Sequence, residues 1–428
     1  MNKKLLFAVF TLAIMAVSCS VNETEDINIT ASDAISLAPS TAITRALVSN
    51  LDTLQNAPDG FVVYATAGAS PTAWYDGGSG AVIDGSNNHV YVSSKWGFKT
   101  NVSWPATDYP MTFYAFYPAA TNAAVKNLTA TWTPQQTLIL GVEIPLEIDK
   151  QIDLLAGMRR TTAKPISGSL NMAFKHILSK VSFSVTNTIG DPAAATTTQT
   201  VDVLALGFVN LKYKNTYDVL TPKWGTVDAA IDTFNFYNSF DVLTGADVYT
   251  AKSFIGKTKG DFYSPADTFQ MLLPQIVKKW NTTGTPAVET PKVDESYVRM
   301  LYRVEESSPL NVDFIGFKSA TTHSGYVGSE LEVRGYNGPL YVLVGYSFSQ
   351  PTNGWEPGKG YHYEIPVPGG TGGRLLDDRL YDNQGNPTTL KVPGGKVPDV
   401  IIPANSDDIR LDPTVTNWDD NTTTAIEE

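Results

Sequence analysis

The sequence predicts an all-β body of sandwich type. Three observations predict it: short runs in which apolar residues fall at every second position, clusters of Gly, Pro, Asn, Asp and Thr between those runs, and no stretch with a sustained helical period. A period of two sends one face of a strand to a core and the other to solvent. The clusters supply the positive φ angles and fixed turns that reverse a chain.

The runs come in order. Phe61-Val62-Val63-Tyr64 is dense in β formers, His89-Val90-Tyr91-Val92 alternates, and the aromatic Met111–Tyr117 ends at Pro118. Leu170-Asn171-Met172-Ala173-Phe174 and Val181-Ser182-Phe183-Ser184-Val185 alternate strictly, and further strands are expected at 201–213, 268–274, 297–305, 340–348 and 361–367. Branched and aromatic side chains crowd these segments because they fit a pleated surface. Asp76–Gly80 and Gly369–Gly373 read as turns.

The amino end carries targeting chemistry. Lys3 and Lys4 precede the apolar stretch Leu5–Val17, which is shorter than the roughly 20 residues of a spanning helix and has the size of a secretory core. It ends in Ala16-Val17-Ser18-Cys19, which resembles a lipobox, and Cys19 is the single cysteine of 428 residues. The expectation is a signal peptide over 1–18 and a lipidated Cys19 holding the body on the outer membrane, each buried methylene adding about 0.8 kcal/mol. An internal disulfide is impossible with one cysteine. Glu23, Glu25 and Asp26 follow at once and resemble a surface-export signal; a solvated leader has the same composition.

Removing residues 1–18 takes away two lysines and moves the formal charge from −12 to −14. An acidic body argues against nucleic acid as a partner. Its length predicts two or three domains at about 150 residues each. A polar leader spans 19–45. The Thr-, Ala-, Gly- and Pro-rich stretch 186–200 predicts a boundary there, giving domains at 46–185 and 186–428. Arg45, alone between the polar leader and the first strands, is an accessible point for a protease.

Catalytic, metal and cofactor motifs are missing. His89, His176, His323 and His362 have no second ligand at metal spacing. His176, between Phe174 and Leu178, reads as a satisfied structural histidine, and His362 as an outward strand residue. There is no nucleophile elbow, phosphate loop or calcium loop. Asp377-Asp378 and Asp419-Asp420 read as solvated pairs or weak calcium contacts. The expectation is a protein that is not an enzyme and takes no cofactor. The eight tryptophans leave one rival open, a glycan- or host-ligand-binding surface lipoprotein acting as a monomer; that needs several rings on one exposed face, whereas core burial is the ordinary use.

With these pieces in place the chain resembles the fimbrillin family, the subunits of Bacteroidia type V pili. The resemblance rests on Phe113–Pro118, on Asp153-Leu154-Leu155-Ala156 with Leu170-x-Met172-x-Phe174-x-His176-x-Leu178-Ser179-Lys180-Val181, on Trp355-x-Pro357-Gly358-x-x-Tyr361-x-Tyr363-x-Ile365, and on Val415-x-x-Trp418. It implies two tandem transthyretin-like β-sandwich domains at the cell surface and a leader removed by an arginine-specific protease between Arg45 and Ala46. The departing strand would lie in 27–44, with Ile27, Ile29, Ile35 and Leu37 as its apolar residues and Asp33 and Pro39 making it irregular. The vacated groove would accept a strand from the next pilus subunit, with a host or bacterial surface ligand as a further partner. Donor-strand candidates are Val400, Ile401 and Ile402, or Ile409 and Leu411; both segments read equally well as ordinary edge strands of the second domain.

Overall fold

Alternating burial organises the chain, and strands form where the sequence alternates. The computed structural model describes residues 34–41, 55–56, 60–69, 74–75, 83–86, 88–93, 95–119, 128–133, 137–187, 198–226, 230–255, 259–261, 269–281, 288–307, 339–367, 374–391 and 413–417. Its first strands are β1 (Ser36–Thr41), β2 (Val62–Ala67), β3 (His89–Val92), β4 (Lys95–Phe98), β5 (Met111–Tyr117), β6 (Thr129–Thr133), β7 (Thr137–Glu143), β8 (Leu155–Thr161), β9 (Ser169–His176) and β10 (Ser179–Asn187). The remainder are β11 (Thr198–Lys212), β12 (Lys214–Asp218), β13 (Lys223–Trp224), β14 (Ile231–Tyr237), β15 (Lys252–Ile255), β16 (Lys259–Asp261), β17 (Gln270–Leu272), β18 (Tyr297–Ser307), β19 (Tyr341–Tyr346), β20 (Lys359–Val367), β21 (Arg374–Tyr381), β22 (Pro387–Lys391) and β23 (Pro413–Asn417). Among the described residues helix is confined to a 3-10 turn at Ile148–Lys150 and to Gln55. The predicted all-β class is the observed one.

The first sheet runs β1-β9-β8-β5-β2. A second runs β16-β10-β20-β23, a third β14-β11-β18-β19-β21-β22, and a fourth, β13-β12-β7-β6, joins residues 129–143 to residues 214–224. β3 and β4 form a hairpin of their own. The boundary expected between 185 and 186 falls inside β10, whose parallel ladder with β20 runs from Lys180 to Asn187. The chain leaves the first sheet at His176 and joins the second at Ser179, so the change of sheet precedes the Thr- and Ala-rich stretch.

Two large cores result. The smaller gathers Ile35, Leu37, Phe61, Val63, Phe98, Phe113, Met172 and Phe174. The larger gathers Phe183, Phe208, Phe236, Phe348, Trp355 and Tyr363 between the second and third sheets. Phe183 meets Phe236 edge-on at 4.6 Å, a geometry that suits ring quadrupoles, and lies tilted against Phe208 at 5.1 Å. The antiparallel pair of β2 and β5 serves both cores: Val63, Ala65, Phe113 and Ala115 face the smaller, Val62, Tyr64 and Phe116 the larger. Burying each such side chain is worth about 1.5–3 kcal/mol.

Candidate functional site

The segment assigned to the leader forms a strand. β1 lies parallel to β9, in register from Ser36 opposite Ser169 to Thr41 opposite Phe174. Ile35 and Leu37 are buried in the smaller core, which is what their spacing dictates.

In a parallel ladder, alternate residues turn both backbone groups toward the same neighbour. Ser36 turns toward β9, its N–H donating to the Gly168 carbonyl at 3.4 Å. Ile35, Leu37 and Pro39 turn the other way, and each outward position has its own solution. The Ile35 N–H donates to the Val102 carbonyl at 2.7 Å. The N and O of Leu37 both lie 2.9 Å from Nε2 of His89. Pro39 has no N–H to place. The proline expected to make the strand irregular leaves its register with Met172 intact, because it faces the side from which no strand pairs.

His89 is fixed from all sides. Its ring packs 5.0 Å from Phe61, 4.7 Å from Phe98, and nearly parallel to Trp96 at 5.9 Å. This apolar box pushes its pKa down to about 3, so the imidazole is neutral. A neutral imidazole has one donor and one acceptor. Nε2 therefore accepts from the Leu37 N–H or donates to the Leu37 carbonyl, one at a time, and Nδ1 has no partner among the described residues. The His89 backbone exchanges two hydrogen bonds with Phe61, at 2.9 and 3.0 Å. Gly60 permits that approach: its φ is +57°, and a Cβ there would lie 1.9 Å from the His89 carbonyl oxygen.

Two side chains complete the rim. Ser36 Oγ donates to the Trp96 carbonyl at 2.9 Å, and Trp104 Nε1 donates to the Gly168 carbonyl at 3.1 Å. Beside them, Ser103, Trp104, Tyr109, Thr162 and Lys164 line a pocket of about 670 Å³. The Tyr109 hydroxyl has no hydrogen-bond partner among the described residues, and burial pushes its pKa up.

The other motif residues are structural. Nδ1 of His176 lies 2.6 Å from the Asp153 carboxylate, both fully buried. Trp355 Nε1 donates to the Tyr363 hydroxyl, which donates to the Ser349 carbonyl, both at 3.0 Å. His362 faces away from Tyr361 and Tyr363 and bridges Ser182 and Ser184 at 2.9 and 2.8 Å. Asp377 is held by Arg379 and Tyr381, and Asp378, 39% exposed, by Lys391, so the first acidic pair is a hydrogen-bonded surface pair. The hydrogen bonds from Arg379 hold the Asp377 carboxyl down at about 2. Trp104, Trp280 and Trp355 are buried, and Trp74, Trp96 and Trp224 are partly buried against the cores.

Cys19, Arg45, Ala46, Val400, Ile401, Ile402, Ile409 and Leu411 lie outside the described residues, as do Ile27, Ile29, Asp33 and Asp419-Asp420. Ile35 and Leu37, expected as apolar strand residues, are both buried. The sequence did not single out His89 as their contact; the signal was its place in an alternating run, where a ring two residues from Tyr91 shares that strand face.

One solved structure shares the fold at a TM-score above 0.5. A fimbrial protein of Bacteroides vulgatus matches with a TM-score of 0.52 at 15% identity, covering 90% of this chain and 100% of that one. A candidate cell adhesion protein of Bacteroides uniformis matches with a TM-score of 0.36 at 12% identity, covering 90% and 97%. No curated protein matches in sequence. The strand order, the β1–β9 pairing and the aromatic motifs sit in a chain whose residues 44–289, more than half its length, match the model of the fimbrillin-like family, and the protein belongs to that family.

Proposed function

We propose that this protein is a structural or adhesive subunit of a cell-surface fimbrium of the type V pilus class, assembled by strand exchange after its leader is cut. One observation carries the reading: β1, which precedes Arg45 in the sequence, lies beside β9 with Ile35 and Leu37 buried in the smaller core. Cleavage between Arg45 and Ala46 by an arginine-specific protease frees that strand from the body. Its departure bares unpaired backbone on β9 and an apolar trench. A strand from a second copy satisfies both. Repeated head to tail without closing, such contacts make a filament. Cys19 carries the lipid that delivers the precursor to the outer membrane, and two tandem transthyretin-like sandwiches form the body. The fold brings no catalytic step into this reading.

The test treats the purified precursor with an arginine-specific protease, sequences the new amino terminus, and follows the product by electron microscopy. A terminus at Ala46 and polymers absent from the R45A protein are expected. A body left intact at Arg45, or cut there and still monomeric, overturns the proposal.

A second reading, a monomeric lipoprotein that binds a glycan or host ligand, is favoured by the pocket beside Trp104. A saccharide would find an aromatic edge, the Tyr109 hydroxyl and the Lys164 ammonium there. Binding by the precursor on a glycan array, lost in Y109A, supports it; a blank array counts against it.

A further inference from the structure

We infer that the pocket beside Trp104 binds an acidic saccharide, a sugar that carries a carboxylate, with Lys164 holding the carboxylate, Tyr109 holding a sugar hydroxyl, and Arg159 adding its charge from the adjoining strand. The inference rests on the reading that this pocket takes a glycan and deepens it by naming the charge of that glycan. It holds for the chain alone or within a fimbrium.

The walls of the pocket are fixed before a ligand arrives. Trp104 is pinned through its Nε1 to the Gly168 carbonyl, and its ring meets Phe113 edge-on at 5.8 Å. The Ser103 carbonyl accepts a hydrogen bond from the Tyr75 hydroxyl at 2.6 Å. The Gly68 N–H donates to the carbonyls of Asp108 and Pro110, at 3.2 and 3.0 Å, which holds the chain on both sides of Tyr109. Thr161 pairs with Met111, so the chain leaving β8 passes beside the chain entering β5. Walls held in this way lose little freedom when a ligand binds.

The Tyr109 hydroxyl is the group that waits for a partner. It is shut away from water and makes no hydrogen bond among the described residues. Such a hydroxyl is costly to leave bare, and a ligand oxygen removes the cost. Burial pushes its pKa up and the Lys164 charge opposes that push, so the ammonium acts on the phenol across the pocket. The phenol stays protonated at neutral pH and can donate. Hydroxyls of Ser103, Tyr109 and Thr162 beside an indole suit a sugar, which presents hydroxyls around its ring.

The charge at this place is opposite to that of the whole chain. The chain carries a formal net charge of −12, yet between Asp153 and Asp191 it has Arg159, Arg160, Lys164, Lys175 and Lys180 and no carboxylate. Among the described residues that line the pocket, Lys164 is the one charged side chain, which matches a single carboxylate. Lys164 also keeps an interaction within the protein; an ammonium has three donors, so it serves a ligand as well. Arg159 is exposed on β8 opposite Phe113, the ring that Trp104 meets, and forms no ion pair among the described residues. Salt screens the distant acidic residues beyond about 8 Å, so the nearby cations decide the sign felt by a ligand.

The test sets the full chain against glycans ending in glucuronate, galacturonate or sialate, each beside its methyl ester, and against sulfated neutral sugars. The ester keeps the shape and removes the charge. Binding of the acids about tenfold tighter than of their esters is expected, with the preference fading at high salt. K164M should erase the preference and K164R restore it, while R159M should reduce it about threefold. Y109F should weaken acid and ester alike by about fivefold. Equal binding of acids and esters, or a preference for sulfated sugars, overturns the carboxylate assignment and leaves the glycan reading standing. Acid binding unchanged in both K164M and Y109F places the ligand elsewhere and overturns the site. Binding of no glycan at all overturns both.

Discussion

The carboxylate of Asp153 lies 2.6 Å from Nδ1 of His176, with both side chains shut away from water. The contact ties the residue ahead of Leu154 to the last residue of β9, where the Ile177 N–H also donates to the Leu154 carbonyl at 3.0 Å. Burial pushes the Asp153 carboxyl above its ordinary range, and His176 opposes that push. The pair is thus a local fastening between the end of one strand and the start of its neighbour.

Removing one partner strands the other in the interior. D153A is expected to cost about 3–5 kcal/mol in urea denaturation. D153N, which keeps an oxygen near the ring, is expected to cost less. A D153A protein as stable as the wild type would refute the fastening.

Acid should weaken the protein through His89. Its folded pKa is about 3 against an ordinary 6.5. Above 6.5 the ring is neutral folded or unfolded, and its contribution is whole. As pH falls below 6.5 the unfolded chain gains a proton that the folded chain refuses, so stability drains away toward pH 3 at about 1.4 kcal/mol per unit. Denaturation midpoints measured from pH 7 to 4 should show the gap between wild type and H89Q closing as pH falls. A constant gap contradicts this.

Gly60 is the hinge on which the position of His89 depends. G60A puts a side chain into the left-handed region and against the His89 carbonyl. Backbone strain alone is expected to cost about 1–3 kcal/mol. Calorimetry on G60A checks the size, and hydrogen exchange at Leu37 checks that the damage reaches β1.

The Tyr363 hydroxyl relays a hydrogen bond from Trp355 to Ser349. Y363F leaves an indole N–H and a carbonyl without that link inside the larger core. A loss of about 1–3 kcal/mol is expected by chemical denaturation, with the near-ultraviolet tryptophan signal altered. An unchanged signal would show that the relay does not hold Trp355.

Much of this was legible in residue order. Leu170, Met172 and Phe174 announced β9, and Tyr361, Tyr363 and Ile365 announced β20, because alternation is a local property of a half-buried strand. Ile35 and Leu37 were marked as strand residues only through the family resemblance, which implied a strand somewhere in 27–44. Partner choice was not legible. Lys180 pairs with Gly360, and Lys214 with Glu143, and no local pattern encodes which distant edge a strand meets. Pro39 misled because a proline excludes itself only from the side of a strand that must donate, and the sequence does not say which side that is. The partners of the acidic pair Asp377-Asp378 were not legible because Arg379, Tyr381 and Lys391 reach it only once β21 and β22 have formed.

The paired strands β2 and β5 have their two faces in different cores. Whatever happens at the face lined by Val63, Phe113 and Ala115, the reverse side stays anchored through Val62, Tyr64 and Phe116. The two cores therefore share this one pair of strands as a common partition, and repacking on one side of it is felt on the other.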